Sequence, residues 1–199
     1  MDIPYATIER LALYARCLRH LKENGIKNVS SYMISAEVRT TPEQVRKDLS
    51  YFGKFGKTGE GYNVDKLLKK IEKILKPKRK VNIAIVGVGA LGTALARFKG
   101  FKEVGYEVKA LFDVDPKKIG KQIDGVTVSH IDKFREIVDK EKIEIVILSV
   151  PKEVIKDIED LIVRSKVKGV LNFVPITLQL KTRRKIFVLD VDLTQKLYI

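Results

Sequence analysis

The feature that most constrains this chain is a six-residue run, Val81-Asn82-Ile83-Ala84-Ile85-Val86, followed at once by Gly87-Val88-Gly89-Ala90-Leu91-Gly92. A nearly unbroken apolar, β-branched run suits a strand buried on both faces, and such strands belong to parallel sheets. A GxGxxG pattern alone is weak. Placed between such a strand and a helix, it is the dinucleotide-binding context. The first glycine permits a tight turn, the second lets backbone approach a pyrophosphate, and the third packs helix on strand. The helix start then turns its N–H groups toward the negative charge.

The downstream pattern supports that frame. A second strand is expected from Glu107 to Phe112, ending at Asp113, 21 residues after Gly92. An acid there accepts from the adenosine ribose 2′-OH and repels a 2′-phosphate, which favours NAD(H) over NADP(H). Lys117 and Lys118 lie close by and weaken that preference, and Asp113-Val114-Asp115-Pro116 also reads as an ordinary turn. Further strands are expected at 126–129, 143–149, 168–173 and 186–190, with helices at 131–141 and 152–165. The result is an α/β array of Rossmann type. Ligands bind beyond the carboxyl ends of such strands, which places Ser149, Val150, Pro151, Asn172, Phe173, Val174 and Pro175 at the crevice. Phe98 and Val150 are the expected apolar walls around a nicotinamide. Val114 and Lys118 join Asp113 at the ribose end.

Before residue 81 the character differs. Lys76-Pro77-Lys78-Arg79-Lys80 is basic, self-repelling and interrupted by proline, so it marks a boundary between residues 1–80 and 81–199. Ile8, Leu11, Ala15, Leu18 and Leu21 predict an amphipathic helix over 6–23, stopped at Asn24-Gly25. Ser30 or Ser31 caps a short helix to about Val38. Thr41 caps a third, with Pro42 at its first position and Gln44 completing a capping box; it runs to about Phe52, where Gly53 stops it. This is a helix-turn-helix, whose last helix enters the DNA major groove. Val45, Leu49 and Phe52 share the inward face. Gln44, Arg46, Lys47, Ser50 and Tyr51 face elsewhere, Arg46 being suited to guanine O6 and N7, and Lys47 and Tyr51 to phosphates. Phe55 to Val64, with Gly56, Gly59 and Gly61, predicts a hairpin wing whose tip brings Lys57, Gly59, Gly61 and Tyr62 to the minor groove. A basic amphipathic helix over 65–76 follows.

Charge supports the same division. Lys and Arg exceed Asp and Glu by 39 to 25, a net of +14. Residues 1–80 hold 18 of those cations and 9 of the acids, a net of +9; the remainder carries +5. Lys/Glu enrichment on a hot-adapted surface would explain a general excess. A concentration on a small helical segment points instead to a polyanionic partner. A three-helix protein-binding module with a solvated basic face is the plainer reading of that segment. The single cysteine, Cys17, excludes an internal disulfide framework and fits a reducing, cytoplasmic setting. No apolar run is long enough to span a membrane, and the N-terminus lacks the pattern of a signal peptide.

Catalytic equipment is not apparent. His20 belongs to the N-terminal segment, and His130 follows a strand with no evident partner. Paired metal ligands, a nucleophile elbow and a Ser-x-x-x-Tyr-x-x-x-Lys set are all missing from the pattern. A pyridine-nucleotide site without an acid or base suggests sensing rather than turnover. An NAD-dependent oxidoreductase with a basic cap domain is the alternative. A Rossmann domain for another nucleotide-containing ligand, such as coenzyme A, is a third.

Taken in order, Gln44 to Gly53, Gly59-Glu60-Gly61-Tyr62, Val86 to Gly92, Phe112 to Pro116, Val150-Pro151 and Lys168 to Phe173 resemble the Rex family of redox-sensing transcriptional repressors over nearly the whole chain. The resemblance implies a winged-helix domain joined to an NAD(H)-binding domain, and a homodimer on palindromic operator DNA, released by NADH and left competent by NAD+. It further implies that Arg16 of the first helix pairs with Asp192 of the partner subunit to link cofactor state to head orientation. Three departures stand out. Phe98 replaces a frequent tyrosine near the nicotinamide, Leu193 replaces an aromatic, and the chain stops at Ile199, soon after the exchanged helix of the family begins. A smaller swapped interface and a differently built NADH discrimination are expected.

Overall fold

Around Pro77 the chain changes partners. Residues Met1–Pro77 and Lys78–Ile199 form two units in the computed structural model, which describes residues 3–53 and 61–197 apart from the Lys196 side chain. The first unit holds α1 (Tyr5–Glu23), β1 (Asn28–Val29), α2 (Ser31–Val38), α3 (Pro42–Ser50), β2 (Tyr62–Asn63) and α4 (Val64–Leu75). Leu11, Ala15 and Leu18 recur at helical spacing and are buried with Ile34, Val45, Leu49, Leu67, Leu68 and Ile71 in one core. Each short helix has a polar start. Ser30 accepts from the Met33 N–H, Thr41 from Gln44 and Asn63 from Lys66, at 3.0–3.1 Å.

Two expectations need correction here. The Gln44 side chain does not close a capping box; its amide goes to Asp48 instead. Helix α3 ends at Ser50 rather than Phe52, because Tyr51 and Phe52 form a turn that leads into Gly53 at φ +102°. Of the expected wing, only Gly61 onward is described. There β2 pairs antiparallel with β1, Tyr62 opposite Val29. Gly61 has φ +73°, and a Cβ would sit 2.6 Å from the Val29 carbonyl oxygen, so this crossing excludes a side chain. Lys57 and Gly59 lie outside the described residues.

The second unit runs β3 (Val81–Val86), α5 (Ala90–Ala96), α6 (Gly100–Glu103), β4 (Tyr106–Asp113), β5 (Gln122–Ile123), β6 (Val126–His130), α7 (Phe134–Lys140), β7 (Ile143–Leu148), α8 (Ile155–Val163), β8 (Gly169–Asn172) and β9 (Phe187–Asp190). The sheet order is β5-β6-β4-β3-β7-β8-β9, parallel except for β5. Counting from β3, this is the 3-2-1-4-5-6 order of a doubly wound dinucleotide-binding sheet, with its switch point between β3 and β7. Strand alternation sends Ile83, Ile85, Leu111 and Ile147 to the core on one face. It sends Ala84, Val86, Phe112 and Leu148 to the other, against Phe134, Ile158 and Ile162. Both faces are covered, which is why β3 reads as continuously apolar. Single 3₁₀ turns precede α7 and α8. The elements β5 and α6 are too short to leave a periodicity. Arg79 is not merely part of a self-repelling linker. It pairs with Glu144, which Lys168 also contacts, and together they hold that carboxyl below its usual range. Among the described residues no helix is long and apolar enough to cross a membrane.

Candidate functional site

The turn after β3 sits at the switch point, and three glycines shape it differently. Gly87 has φ +90°, and a Cβ there would lie 2.4 Å from the Ser149 carbonyl oxygen. A Cβ at Gly92 would lie 1.9 Å from the Gly87 carbonyl oxygen, inside any contact distance. Gly89 has nothing within 4 Å of its Cβ position. Two glycines are therefore needed by the fold, while the middle one leaves open space before the first turn of α5. Val88 is buried in the core, whereas Ala90 and Leu91 are exposed beside the opening. Ser149, at the end of β7, fastens the loop from the other side. Its N–H donates to Val86 at 2.9 Å and its Oγ to the Gly87 carbonyl at 2.8 Å. Ser149 thus supports the loop, and Val150 packs close behind Gly87.

Asp113 ends β4 next to this loop and is 9% exposed. Its Oδ1 accepts from the N–H groups of Val114 and Asp115, and its Oδ2 from Val88 N–H at 2.8 Å and Lys118 Nζ at 3.0 Å. Burial alone raises its pKa, but the bonds from Asp115, Lys118 and Val88 outweigh it and hold the carboxyl below its usual range. Three donors are backbone and fixed. Lys118, about a third exposed, is the one that can leave or be shared when a hydroxyl arrives. Val114 is exposed at the tip.

Other expected residues fall elsewhere. Phe98 does not share a wall with Val150. It follows α5 (Ala90–Ala96), which rises ~1.5 Å per residue, and so lies past the end of that helix away from Gly87. It stacks edge-on against Phe101 and lines a cleft of about 620 Å³ with Lys102, Glu107, Val126 and Ile137. Neither the glycine loop nor Ser149 lines that cleft. The glycine loop carries the phosphate-binding geometry, so the cleft is a separate feature. Asn172 is fully buried, so its side chain is not a crevice wall. Its amide donates to Ile176 and Asp190 and accepts from Val174 N–H, which braces the loop carrying half-buried Phe173 and exposed Pro175. Pro151 is exposed just beyond Val150. His130 accepts from Asp132 N–H and starts a turn. No group of three or more metal-binding side chains occurs among the described residues.

On the head, α3 presents Arg46, Lys47 and Ser50 to solvent, with Gln44, Tyr51 and Tyr62 half-buried. Arg46 is already engaged by Ser31 and Glu43, so reading a guanine requires releasing an acid. The sequence reading missed Asp48. It is fully buried and accepts from Thr7, Arg10 and Tyr14 of α1 and from Gln44. Burial alone raises its pKa; the bonds from Arg10, Tyr14 and Gln44 reverse that and hold it low. The same burial and carboxylate push the Tyr14 hydroxyl well above its usual range. Asp48 lies three residues after Val45, on the apolar face, and that spacing was the available signal. Arg16 is exposed on α1 and makes no ion pair among the described residues. Asp192 accepts from both Thr194 groups and from Gln195 N–H, which orders the final turn.

A helix-turn-helix head and a doubly wound domain with a pyrophosphate-shaped loop together define a class: DNA-binding regulators that carry a dinucleotide-binding domain. The family model "CoA binding domain" matches residues 78–176, and the model "Putative DNA-binding protein N-terminus" matches residues 2–50. The redox-sensing transcriptional repressor Rex of Carboxydothermus hydrogenoformans is 45% identical over 99% of this chain and 94% of the relative. Its counterpart from Roseiflexus sp. is 44% identical over 88% and 80%. RSP, a Rex-family repressor, has a crystal structure in complex with β-NADH (33% identity, TM-score 0.90, covering all of this chain and 92% of that one). Its structure with β-NAD+ and operator DNA gives 34%, 0.90 and 90% of that chain. The chain belongs to the Rex family of redox-sensing transcriptional repressors, which are regulators and not enzymes.

Proposed function

We propose that this protein is a cytoplasmic repressor that binds palindromic operator DNA as a homodimer and leaves it when NADH binds, NAD+ leaving it competent. Residues 1–80 form the DNA-binding domain and 81–199 the NAD(H)-binding domain. The observation that carries the nucleotide half is the glycine loop with open space at Gly89, beside the Asp113 carboxylate. That carboxylate suits ribose hydroxyls and opposes a phosphorylated ribose, which favours NAD(H) over coenzyme A. RSP, similar over the whole of this chain, has been solved with β-NADH and with β-NAD+ and operator DNA.

The switch rests on differential affinity, since a ligand moves a two-state equilibrium only by its preference for one state. Passing from mostly bound to mostly free requires about 10⁴-fold preference, or about 5.5 kcal/mol. NADH and NAD+ differ by a hydride and a positive charge on the nicotinamide, and an apolar, water-poor pocket favours the neutral ring. Val150, which packs behind Gly87, is the candidate for such a wall, whereas Phe98 lines the separate cleft. Arg16 and Asp192 of the partner subunit supply the link to head spacing. Fluorescence anisotropy of a labelled palindromic duplex at fixed salt tests the proposal. NADH is expected to release it at far lower concentration than NAD+. Equal effects of the two nucleotides would sink the sensing half and leave DNA binding intact.

A further inference from the structure

Gln44 differs from every other residue on the DNA-facing side of α3. Its Nε2 donates to Asp48 Oδ1 at 2.8 Å, and Asp48 is held from behind by Arg10 at 2.6 and 2.8 Å and Tyr14 at 2.8 Å. A free glutamine amide can flip and exchange its acceptor for its donors. An ionised carboxylate accepts only, so Asp48 admits Nε2 and rejects Oε1. One N–H is fixed inward. Oε1 and the second N–H make no bond among the described residues, and the half-exposed side chain sits in the first turn of α3, the turn that leads into a major groove. An amide with one acceptor and one donor outward matches the N6 donor and N7 acceptor of adenine. The neighbours are not preset in this way. Arg46 is bonded to Glu43 and Ser31, and Lys47 is a flexible point charge.

We infer that Asp48 is a positioning residue that presets the Gln44 amide as a reader of adenine. This rests on the proposed entry of α3 into the major groove. The barrier to a wrong reading is electrostatic: turning the amide over sets Oε1 against a buried anion that α1 keeps charged. Base discrimination by Gln44 therefore depends on residues that never touch DNA.

Selection from a randomised duplex pool with the full-length protein, followed by affinity measurement on single-base variants of the enriched duplex, tests this. The wild type should prefer adenine at one symmetry-related position by about 5- to 150-fold, the range for one bidentate pair. Gln44→Ala should flatten that position and leave the others selective. Gln44→Glu, an acceptor only, should shift the preference toward cytosine, whose N4 is a donor. Asp48→Asn should flatten the same position without touching Gln44, and Asp48→Glu, which keeps a carboxylate, should restore part of it. A purely structural role for Asp48 weakens all duplexes by one factor, and that result would overturn the inference. So would an enriched motif whose every position survives Gln44→Ala, which leaves groove entry standing. If no motif is enriched by the wild type, the reading of α3 falls with it.

Discussion

At the scale of single residues, two buried carboxylates organise the two units, and each predicts a distinct loss. Arg10 is the main partner of Asp48 and keeps about a quarter of its side chain in water. Arg10→Ala leaves a buried charge short of its cation, so the head should lose about 3 kcal/mol, the low end for a broken buried pair. A two-transition thermal or urea melt would show the loss in the first unit alone. Because the Asp48 carboxyl is held below its unfolded value of about 3.9, its stabilisation is present above that pH and disappears as pH falls through the lower folded value. Acid should therefore loosen the head only below about pH 4; a head that weakens near pH 6 contradicts this assignment. Lys118 makes the corresponding argument at the nucleotide site. It offsets the Asp113 charge, so Lys118→Ala should lower NADPH affinity about fivefold, the worth of ~1 kcal/mol for a pair whose cation stays partly in water, with a smaller change for NADH. Calorimetric titration of both nucleotides into the variant checks the ratio.

At the scale of elements, the turn between β3 and α5 separates folding from binding. Gly92→Ala places a methyl 1.9 Å from a backbone oxygen that cannot move without dislodging β3. It should destabilise the second unit by at least the ~1–3 kcal/mol of an overpacked core. Gly89→Ala meets nothing and has φ −79°, so the fold should melt normally. The new methyl would fill the space left for a pyrophosphate, and NADH binding should fall by about tenfold or more, since each 1.4 kcal/mol is tenfold. Normal NADH affinity in Gly89→Ala would remove the loop from the binding site. The same contrast governs α3: its caps set where it begins, and Asp48 sets how it sits on α1.

At the scale of the whole molecule, the excess charge of the first 80 residues bears on how DNA is held. Phosphate contacts release counterions, so affinity should fall steeply and log-linearly with salt, and removing one exposed cation such as Lys47 should lower the slope by about one contact. Arg46→Ala tests another matter. Its guanidinium begins in a pair with Glu43, so the variant should lose less discrimination than a free guanine-reading arginine would. Glu43→Ala should then strengthen DNA binding; a loss would show that the pair presents Arg46 rather than restraining it.

Much of this was legible in the chain itself. The β-branched run before Gly87, the caps at Ser30 and Thr41, and the acid 21 residues past Gly92 are local chemistry, and local chemistry decides where strands and helices begin. The alternation of elements pointed to a parallel α/β sheet, but the order of its strands came only from the tertiary structure. What residues separated by tens of positions do to each other was not legible. That Asp48 is buried against Arg10 and Tyr14, that Asn172 braces a loop instead of lining a crevice, and that Phe98 joins Phe101 away from Val150 depend on which faces meet. Sequence periodicity tells which face of an element is apolar; only packing tells which polar group on that face finds a partner, since the cost of burying a charge is decided by neighbours that the chain brings from far away.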